Sequence, residues 1–374
     1  MTRSLSIDSL AVRGGFQPRL GDGLSPDINL SSTYLVPGDA DPERIAYGRD
    51  DSPSFHVLER AIADLENAKH GLVFNSGTSA MVALVEEAAP GSRIVFTREA
   101  YHGFLVYAQN VLIPRGIEVD FVDLRDLEAV EAAVPGASFV WAETPTNPHI
   151  QCCDLTAIAE VCAACSVPWI ADNTFATPVF TRPLDLGAWA VMESVTKYMG
   201  GHSDLILGAV ATNDGDLRER LNSRRAQIGT QPDGFTCWLA RRGLQTMPLR
   251  VRRQAATALE IATRLSSHPS VTRVYYPGLA DDPDHALATK QMNGGYGGML
   301  SFVVAGGKAA ANRVTETTTV WVPATSLGSV ESLIERRSRW DGDDAVDPAL
   351  LRLSAGLEDV EDLWADLEQA LAGH

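Results

Sequence analysis

The stretch from Val167 to Pro178, VPWIADNTFATP, passes from a short apolar run directly to an acidic residue, Asp172. Four further apolar runs precede it, HGLVFN, SRIVFT, IEVDFVD and ASFVWAE, and segments with a helical period separate them. Short apolar strands that alternate with helices are typical of a parallel sheet with helices packed on it. The pattern therefore predicts an α/β domain with a mostly parallel sheet, which extends to about residue 235.

The remainder of the chain has a different pattern. A long helical segment begins at FTCWLARRGL, a strand pair is predicted around GGMLSFVV, and EDVEDLWADLEQALAG forms a last helix. These elements indicate a smaller α+β domain. The first forty or so residues are rich in Gly, Pro, Asp and Ser, which predicts an arm with little regular structure. We expect an arm over residues 1–46, a large domain over 47–236 and a C-terminal domain over 237–374.

Composition excludes several classes of partner. The chain has 374 residues and a formal net charge of −17. Binding to nucleic acid or to an anionic membrane requires a basic face, so neither partner is expected. The start, MTRSLSIDSLAVRGG, lacks the apolar core of a signal peptide, and we find no apolar run of membrane-spanning length. A cytoplasmic location is the prediction.

The cysteines do not indicate a metal or a disulfide framework. There are five, an odd number, which disfavours a set of structural disulfides. Cys162 and Cys165 form a C-x-x-C, but within an apolar helical stretch and without a second pair of ligands nearby. A buried helix face explains this spacing better than zinc does. No metal is predicted.

Ligands of parallel sheets bind at the carboxyl ends of the strands. At the first such end, Ser76, Gly77 and Thr78 lead into a helix. Free N–H groups of this kind can bind phosphate, although an ordinary serine cap explains the same residues. Asp172 ends a later strand, where it either pairs with a cation or caps the next turn.

A lysine follows another short apolar segment, within SVTKYMGGHSD at residues 194–204. The chain has 31 basic residues but only four lysines, Lys69, Lys197, Lys290 and Lys308. Arginine stays protonated, whereas a desolvated lysine can lose its proton and act as a nucleophile. A phosphate site, a buried carboxylate and a reactive lysine are the three needs of pyridoxal 5′-phosphate (PLP). The order of these signals therefore predicts that cofactor.

A family resemblance is carried by eight motifs: YGR (47–49), SGTSA (76–80), ETPTNP (143–148), DNTFATP (172–178), SVTKYMGGHSD (194–204), YYPGL (275–279), SLGSVESL (326–333) and RLSAGLEDVEDL (352–363). Together they resemble the Cys/Met-metabolism family of PLP-dependent enzymes across essentially the whole chain. That family includes cystathionine γ-lyase, cystathionine γ-synthase and methionine γ-lyase. The resemblance implies fold type I, the aspartate-aminotransferase-like PLP-dependent transferase fold.

The resemblance also implies roles for individual residues. Lys197 would form a Schiff base with PLP and shuttle protons, Asp172 would pair with the ring nitrogen, and Tyr101 would stack on the ring. The phosphate would be bound by Ser76, Gly77, Thr78, Ser194 and Thr196, with Tyr47 and Arg49 reaching it from a neighbouring subunit. Asn147, Ser326, Arg352 and Glu331 would bind the substrate. A homo-oligomer, a dimer of dimers, is implied.

Some positions depart from the family pattern. His102, Phe104 and Val106 replace residues that are usually small or polar, and Ala46 precedes Tyr47 where cystathionine lyases often have glutamate. The segment before Arg352 is shorter than usual. Glu193 stands where small residues or histidine are common.

The predicted function is γ-elimination or γ-replacement on a γ-substituted L-amino acid, as in a cystathionine γ-lyase of trans-sulfuration or with a specialised substrate. A smaller or less polar leaving group than that of cystathionine is expected, because the departures remove polar groups. The alternatives are cystathionine γ-synthase or β-lyase activity and, in another class, a catalytically silent binding or assembly subunit.

Overall fold

A computed structural model of the protein describes residues 5–39, 44–338 and 346–372. Two sheets with helices packed on them form the fold. The helices are α1 (Ile7–Arg13), α2 (Pro53–Glu66), α3 (Gly77–Val85), α4 (His102–Tyr107), α5 (Leu127–Ala133), α6 (Leu155–Cys165), α7 (Thr177–Phe180), α8 (Gly215–Ile228), α9 (Gly234–Leu244), α10 (Met247–Ser266), α11 (His285–Gln291), α12 (Gly307–Thr317) and α13 (Val360–Ala372).

The strands come in two groups along the chain. The first group is β1 (His70–Phe74), β2 (Arg93–Thr97), β3 (Glu118–Val122), β4 (Val140–Glu143), β5 (Trp169–Asp172), β6 (Ala190–Glu193) and β7 (Gly208–Thr212). The second is β8 (Val271–Tyr275), β9 (Met299–Val304), β10 (Val322–Pro323), β11 (Leu333–Arg336) and β12 (Leu350–Ser354).

The larger sheet has the strand order β1-β7-β6-β5-β4-β2-β3. Strands β2 to β6 run parallel, and β7 is antiparallel to both of its neighbours. Every residue of β4, β5 and β6 is buried, because helices cover both faces of a parallel sheet. The predicted α/β domain with a mostly parallel sheet, and fold type I, are confirmed.

The register of two central strands places two acidic residues side by side where these strands end. Glu143 and Asp172 are direct partners at the carboxyl ends of β4 and β5. Residues that are paired across strands point to the same face of a sheet, so both carboxyl groups lie on one face. The pairing of β4 with β5 therefore creates a polar site at the carboxyl ends of these strands.

The smaller sheet has the order β10-β11-β12-β9-β8 and carries Arg352 at the middle of β12. Its helices α10, α12 and α13 bury a separate apolar cluster that includes Phe302, Trp321 and Leu367. Arg352 is paired with Ser301 on one side and Glu335 on the other. The domain boundaries drawn from the sequence stay a prediction.

The N-terminal residues contain a helix where we expected little regular structure. Ser6 caps α1 by accepting from the Ser9 N–H, and Gly14 ends it in the left-handed conformation. Arg241 of α9 donates from Nε to the Gly14 carbonyl at 2.9 Å, which docks the helix end. The local caps, together with this arginine, stabilise a helix that the glycine- and proline-rich composition did not predict.

Candidate active site

A cavity of about 740 Å³ opens at the carboxyl ends of β4, β5 and β6. It extends between the larger sheet and the segment that leads to β11. Twelve of the fourteen residues predicted from the sequence line it: Ser76, Gly77, Thr78, Tyr101, Asn147, Asp172, Ser194, Thr196, Lys197, Ser326, Glu331 and Arg352. Residues that are far apart in the chain are thus brought to one cavity.

Tyr47 and Arg49 are the two predicted residues outside the cavity lining. The Tyr47 ring is 46% exposed, and the Arg49 guanidinium lies 5.3 Å from its centroid. The Tyr47 backbone forms an isolated bridge to Thr33, and its carbonyl accepts from the N–H groups of Asp50 and Asp51. Within one described chain, these two side chains therefore do not reach the predicted phosphate site.

The N-terminus of α3 forms one end of the cavity. The Ser76 hydroxyl accepts from the Ser79 N–H at 3.0 Å, so Ser76 is the helix cap. A Cβ on Gly77 would lie 2.8 Å from Ser194 Oγ, so only glycine lets these two segments approach. The first N–H groups of this helix and the Ser194 hydroxyl consequently face the same space, which suits an anion.

Thr196 holds the lysine loop in place. Its hydroxyl donates to the Leu207 carbonyl and accepts from the Leu207 N–H, both at 3.0 Å. The Ser194 N–H donates to Thr174 Oγ1 at 2.9 Å. The loop that carries Lys197 is therefore fixed at two points against the sheet.

Asp172 is buried beneath the cavity. Its carboxylate accepts from the Thr174 N–H at 3.0 Å. Burial raises the pKa of Asp172, and the hydrogen bonds from Thr174 oppose this. Burial and the neighbouring Asp172 carboxylate also raise the pKa of Glu143 well above its usual range. A cation that lies against Asp172, such as a protonated ring nitrogen, would relieve this desolvation.

Lys197 projects into the cavity from the loop after β6. Its Nζ donates to the Ser326 hydroxyl at 2.7 Å. Burial, and then the positive charge of Arg352, lower the pKa of Lys197 to about 8. Ser326 has a φ of 90°, which is uncommon for a residue with a side chain and is typical of a functional constraint.

Arg352 is held between three acceptors at the opposite wall. It donates to Asn147 Oδ1 at 2.9 Å, to the Ser326 carbonyl at 3.0 Å and to Glu335 Oε2 at 2.7 Å. Glu335 also accepts from Arg337 at 3.0 Å. A fixed, buried guanidinium beside an asparagine is suited to bind a carboxylate.

The ring of Tyr101 stands at the mouth, 45% exposed, on the residue that precedes α4. Its N–H donates to the buried Glu143 carboxylate at 2.9 Å. A Cβ on Gly103 would lie 2.4 Å from the Tyr101 ring, so a glycine is required beneath it. Backbone contacts thus position an aromatic face over the cavity.

Sequence reasoning missed several residues that support this site. Glu335 and Thr174 contact predicted site residues, Arg337 donates to Glu335 and lines the cavity, and Glu143 accepts from the Tyr101 N–H. The sequence signal for Glu335 and Arg337 was the presence of these two charged residues within the strand stretch SLIERR, residues 332–337. Of the family departures, Phe104 is stacked on Phe96 in the core, whereas His102 lines the cavity. Residues 339–345 of the shortened segment lie outside the described residues.

The fold, the buried aspartate and the lysine at the strand ends are those of a PLP-dependent enzyme of fold type I. Residues 8–372 match the family described as Cys/Met metabolism PLP-dependent enzyme. The chain belongs to this family, and pyridoxal 5′-phosphate is its cofactor. The predicted cofactor and family are confirmed, and the cavity fits the group: it offers a helix N-terminus, a buried carboxylate and an amine.

Several known proteins are similar over nearly their whole length. A cystathionine γ-synthase of Mycobacterium tuberculosis is 39% identical over 96% of this chain and 95% of its own. A cystathionine γ-lyase of Dictyostelium discoideum is 38% identical over 92% of both. A cystathionine β-lyase of Lactococcus lactis is 36% identical over 98% and 99%.

Among solved structures, MetB from Corynebacterium glutamicum superimposes with a TM-score of 0.95 at 37% identity, over 99% of this chain and 98% of that one. The chain is therefore a trans-sulfuration-type PLP enzyme that acts on an amino acid, of the carbon–sulfur lyase or γ-replacement kind. The activities named for these relatives differ, so the individual reaction is a separate question.

The lowered pKa of Lys197 predicts unusual reactivity of its amine. At pH 7, a lysine with a pKa of about 8 is neutral in about one molecule in ten, roughly 300-fold more often than an ordinary lysine. After removal of PLP, reductive methylation with formaldehyde should therefore modify Lys197 early, despite its burial. Exposed Lys290 provides the reference in the same mass spectrum. Slower modification of Lys197 than of Lys290 from pH 7 to 9 would contradict a lowered pKa.

Among the described residues, none of the helices is long and apolar enough to cross a membrane.

Proposed function

We propose that the protein catalyses γ-elimination or γ-replacement on a γ-substituted L-amino acid. The observation that carries this proposal is the hydrogen bond from Lys197 Nζ to Ser326 Oγ, at 2.7 Å. The carbonyl of the same residue, Ser326, accepts from Arg352 at 3.0 Å. A proton-transfer group and a carboxylate-binding group thus meet at one residue.

The residues act on the substrate in the following roles. Arg352, Asn147 and Ser326 bind its α-carboxylate, which orients the Cα–H bond. Lys197 would take the Cα proton and move protons at Cβ and Cγ. Bound PLP supplies the electron sink for these carbanions. Asp172 pairs with the ring nitrogen, and Tyr101 covers the ring and assists the leaving group.

The phosphate end is assigned to Ser76, Gly77, Thr78, Ser194 and Thr196. Tyr47 and Arg49 complete it from a neighbouring subunit, because within one chain they lie outside the cavity lining. The working unit in this proposal is a homo-oligomer, a dimer of dimers. A cytoplasmic location, as expected from the sequence, belongs to the same proposal.

The lining of the cavity favours a leaving group that is smaller or less polar than that of cystathionine. Ile206, Val322 and Ala324 contribute apolar side chains to this lining, and His102 also belongs to it. Glu331 lines the same cavity, and one of its carboxylate oxygens accepts from the Ser203 hydroxyl at 3.2 Å. A leaving group without the amino and carboxyl groups of a second amino acid is the better match to this apolar surface.

Product analysis with the PLP-loaded protein tests the proposal. Elimination from a γ-substituted amino acid releases the leaving group, and water then yields a 2-oxo acid and ammonia. We expect 2-oxobutyrate from L-homoserine derivatives and L-methionine analogues, or a Cγ adduct when a thiol is supplied, with a higher kcat/KM than for L-cystathionine. Cystathionine as the best substrate would overturn the leaving-group assignment but not the γ chemistry.

The alternatives give different products in the same assay. Pyruvate from L-cystathionine would mean β-elimination, as named for the relative from Lactococcus lactis. Cystathionine formed from a homoserine ester and cysteine would mean γ-synthase activity. A colourless protein with no product from any of these substrates would mean a silent binding or assembly subunit.

A further inference from the structure

Three neighbouring strands of the larger sheet end in a carboxyl group, and the third does not face the cavity. Glu143 and Asp172 are partners on the cavity face. Asp172 is paired with Met192, which also lines the cavity. Successive residues of a strand alternate between faces, so the side chain of Glu193 lies on the reverse face of the sheet.

On that reverse face, Glu193 meets Glu66, the last residue of α2. Glu66 is 0% exposed and Glu193 is 2% exposed. Their carboxyl groups lie within hydrogen-bonding reach of each other. Because ionised carboxylates accept hydrogen bonds but cannot donate them, a hydrogen bond between the two groups requires a proton on one of them.

The remaining oxygens support the same conclusion. Within the described part of the chain, no N–H or O–H group donates to Glu66 Oε2 or to Glu193 Oε1, although both atoms are buried. Glu66 Oε1 accepts from Asn173 Nδ2 at 3.2 Å. A proton held between the carboxyl groups supplies the donor that two ionised carboxylates would lack.

The charges around the pair do not neutralise it. Asp172 acts on Glu193 from β5, and Arg182 and Asp185 act on Glu66 from the segment after α7. Arg182 and Asp185 form a partly exposed ion pair with each other at 3.0 Å, so their effects largely cancel. Burial raises the pKa of Glu66 to about 7. Burial, and then the charge of Glu66, raise the pKa of Glu193 well above its usual range.

We propose that Glu66 and Glu193 share one proton and carry one negative charge between them, and that this charge, behind Asp172, strengthens the binding of the protonated ring nitrogen of PLP. Both residues are positioning residues, since they act through Asp172 and do not touch the cofactor. The second half of the proposal rests on the proposed role of Asp172. A negative charge in a buried site favours a neighbouring positive charge.

Glutamate at position 193 sets the net charge of this pair. A histidine beside Glu66 would form an ion pair of zero net charge, whereas glutamate with a shared proton leaves one negative charge at the same place. This chain would therefore hold the ring nitrogen in a more negative environment than its Glu193→His variant.

Infrared spectroscopy of the full-length protein tests the shared proton. At pH 7 in heavy water, the wild-type protein should show a carboxylic acid C=O band that is absent in Glu193→Gln. The substitution is isosteric, and its amide N–H can donate to Glu66. Identical spectra in the carboxylic acid region would overturn the proposal, because they would mean that both groups are ionised.

The pH dependence of unfolding gives a second readout of the same proton. A carboxyl group with a raised native pKa stabilises the fold below its unfolded value, about 4.5, and loses this contribution as the pH rises towards the native value. From about pH 5 to 7, the unfolding constant of the wild-type protein should therefore rise up to tenfold more per pH unit than that of Glu193→Gln. Parallel profiles would count against a shared proton.

Cofactor binding tests the effect of the charge. Glu193→Gln keeps one negative charge, on Glu66, whereas Glu193→His and the double variant Glu66→Gln/Glu193→Gln bring the pair to zero. We expect the two neutral variants to raise the Kd for PLP about tenfold and to leave the Kd for 1-deaza-PLP, which lacks the ring nitrogen, unchanged. Glu193→Gln should match the wild-type protein with both compounds.

The two compounds also separate the possible failures. If the double variant and Glu193→His both bind PLP and 1-deaza-PLP more weakly than the wild-type protein does, and to the same extent for the two compounds, the pair has a merely structural role. Asp172→Asn should lower the preference for PLP over 1-deaza-PLP. If Asp172→Asn lowers this preference while the two neutral variants do not, the charge of the carboxyl pair does not contribute to the binding of the ring nitrogen. If Asp172→Asn leaves the preference unchanged, the proposed role of Asp172 is wrong.

Discussion

Replacement of Lys197 by alanine should reduce kcat by about 10³–10⁴-fold, with the fold intact. The amine is the only group that donates to Ser326 Oγ from within the described cavity, and its lowered pKa, about 8, lets it accept and return protons near neutral pH. Removal of a positioned proton-transfer group costs a factor of about this size. Steady-state kinetics with the substrate found by product analysis measures the loss.

Lys290→Ala is the matched control for this experiment. Lys290 is also a lysine and lies on α11, with its side chain 65% exposed and 3.8 Å from Asp154. An exposed ion pair of this kind contributes little to stability, so kcat and the melting temperature should stay within error of the wild-type values. Intact-protein mass spectrometry after borohydride reduction should show PLP retained on Lys290→Ala and absent from Lys197→Ala. A Lys197→Ala protein with more than a tenth of the wild-type kcat would refute the assignment.

The sheet and most of the site could be predicted because the signals are local. An apolar run that ends in Asp172, and a lysine after another such run, are visible without any structure. Their meeting follows from a general rule, since parallel strands bring their carboxyl ends to one edge. Helix α1 also had local signals, Ser6 and Gly14, but the composition around them did not indicate a helix.

The supporting residues could not be predicted, because they depend on register and strand order. Glu335 is significant only because β11 is paired with β12, which places it opposite Arg352. Glu66 and Glu193 belong to different motifs, and nothing in either stretch indicates that they meet. Only the alternation of faces along β6, together with the position of α2, shows that Glu193 has a carboxyl partner and not a cation.

Arg352→Lys should raise KM by about 10–100-fold and change kcat much less. Arg352 is held by Asn147, by Ser326 and by Glu335, so its planar guanidinium has a fixed orientation from which it can donate to a carboxylate. Lysine keeps the positive charge that Glu335 requires, but it offers a single point charge. The loss of one charged hydrogen bond, about 1.5–3 kcal/mol, corresponds to the expected factor.

Arg264→Lys provides the comparison for Arg352→Lys, because it replaces a guanidinium that binds a carboxylate far from the site. Arg264 donates to both oxygens of Glu361, at 2.8 and 2.6 Å, on the surface. Its replacement should leave KM unchanged. A carboxylate-binding role also predicts that Arg352→Lys loses discrimination between a substrate and its α-amide, since only the carboxylate can pair with a guanidinium. An unchanged ratio of kcat/KM values for these two compounds would place the α-carboxylate elsewhere, and Arg352 would then serve only to neutralise Glu335.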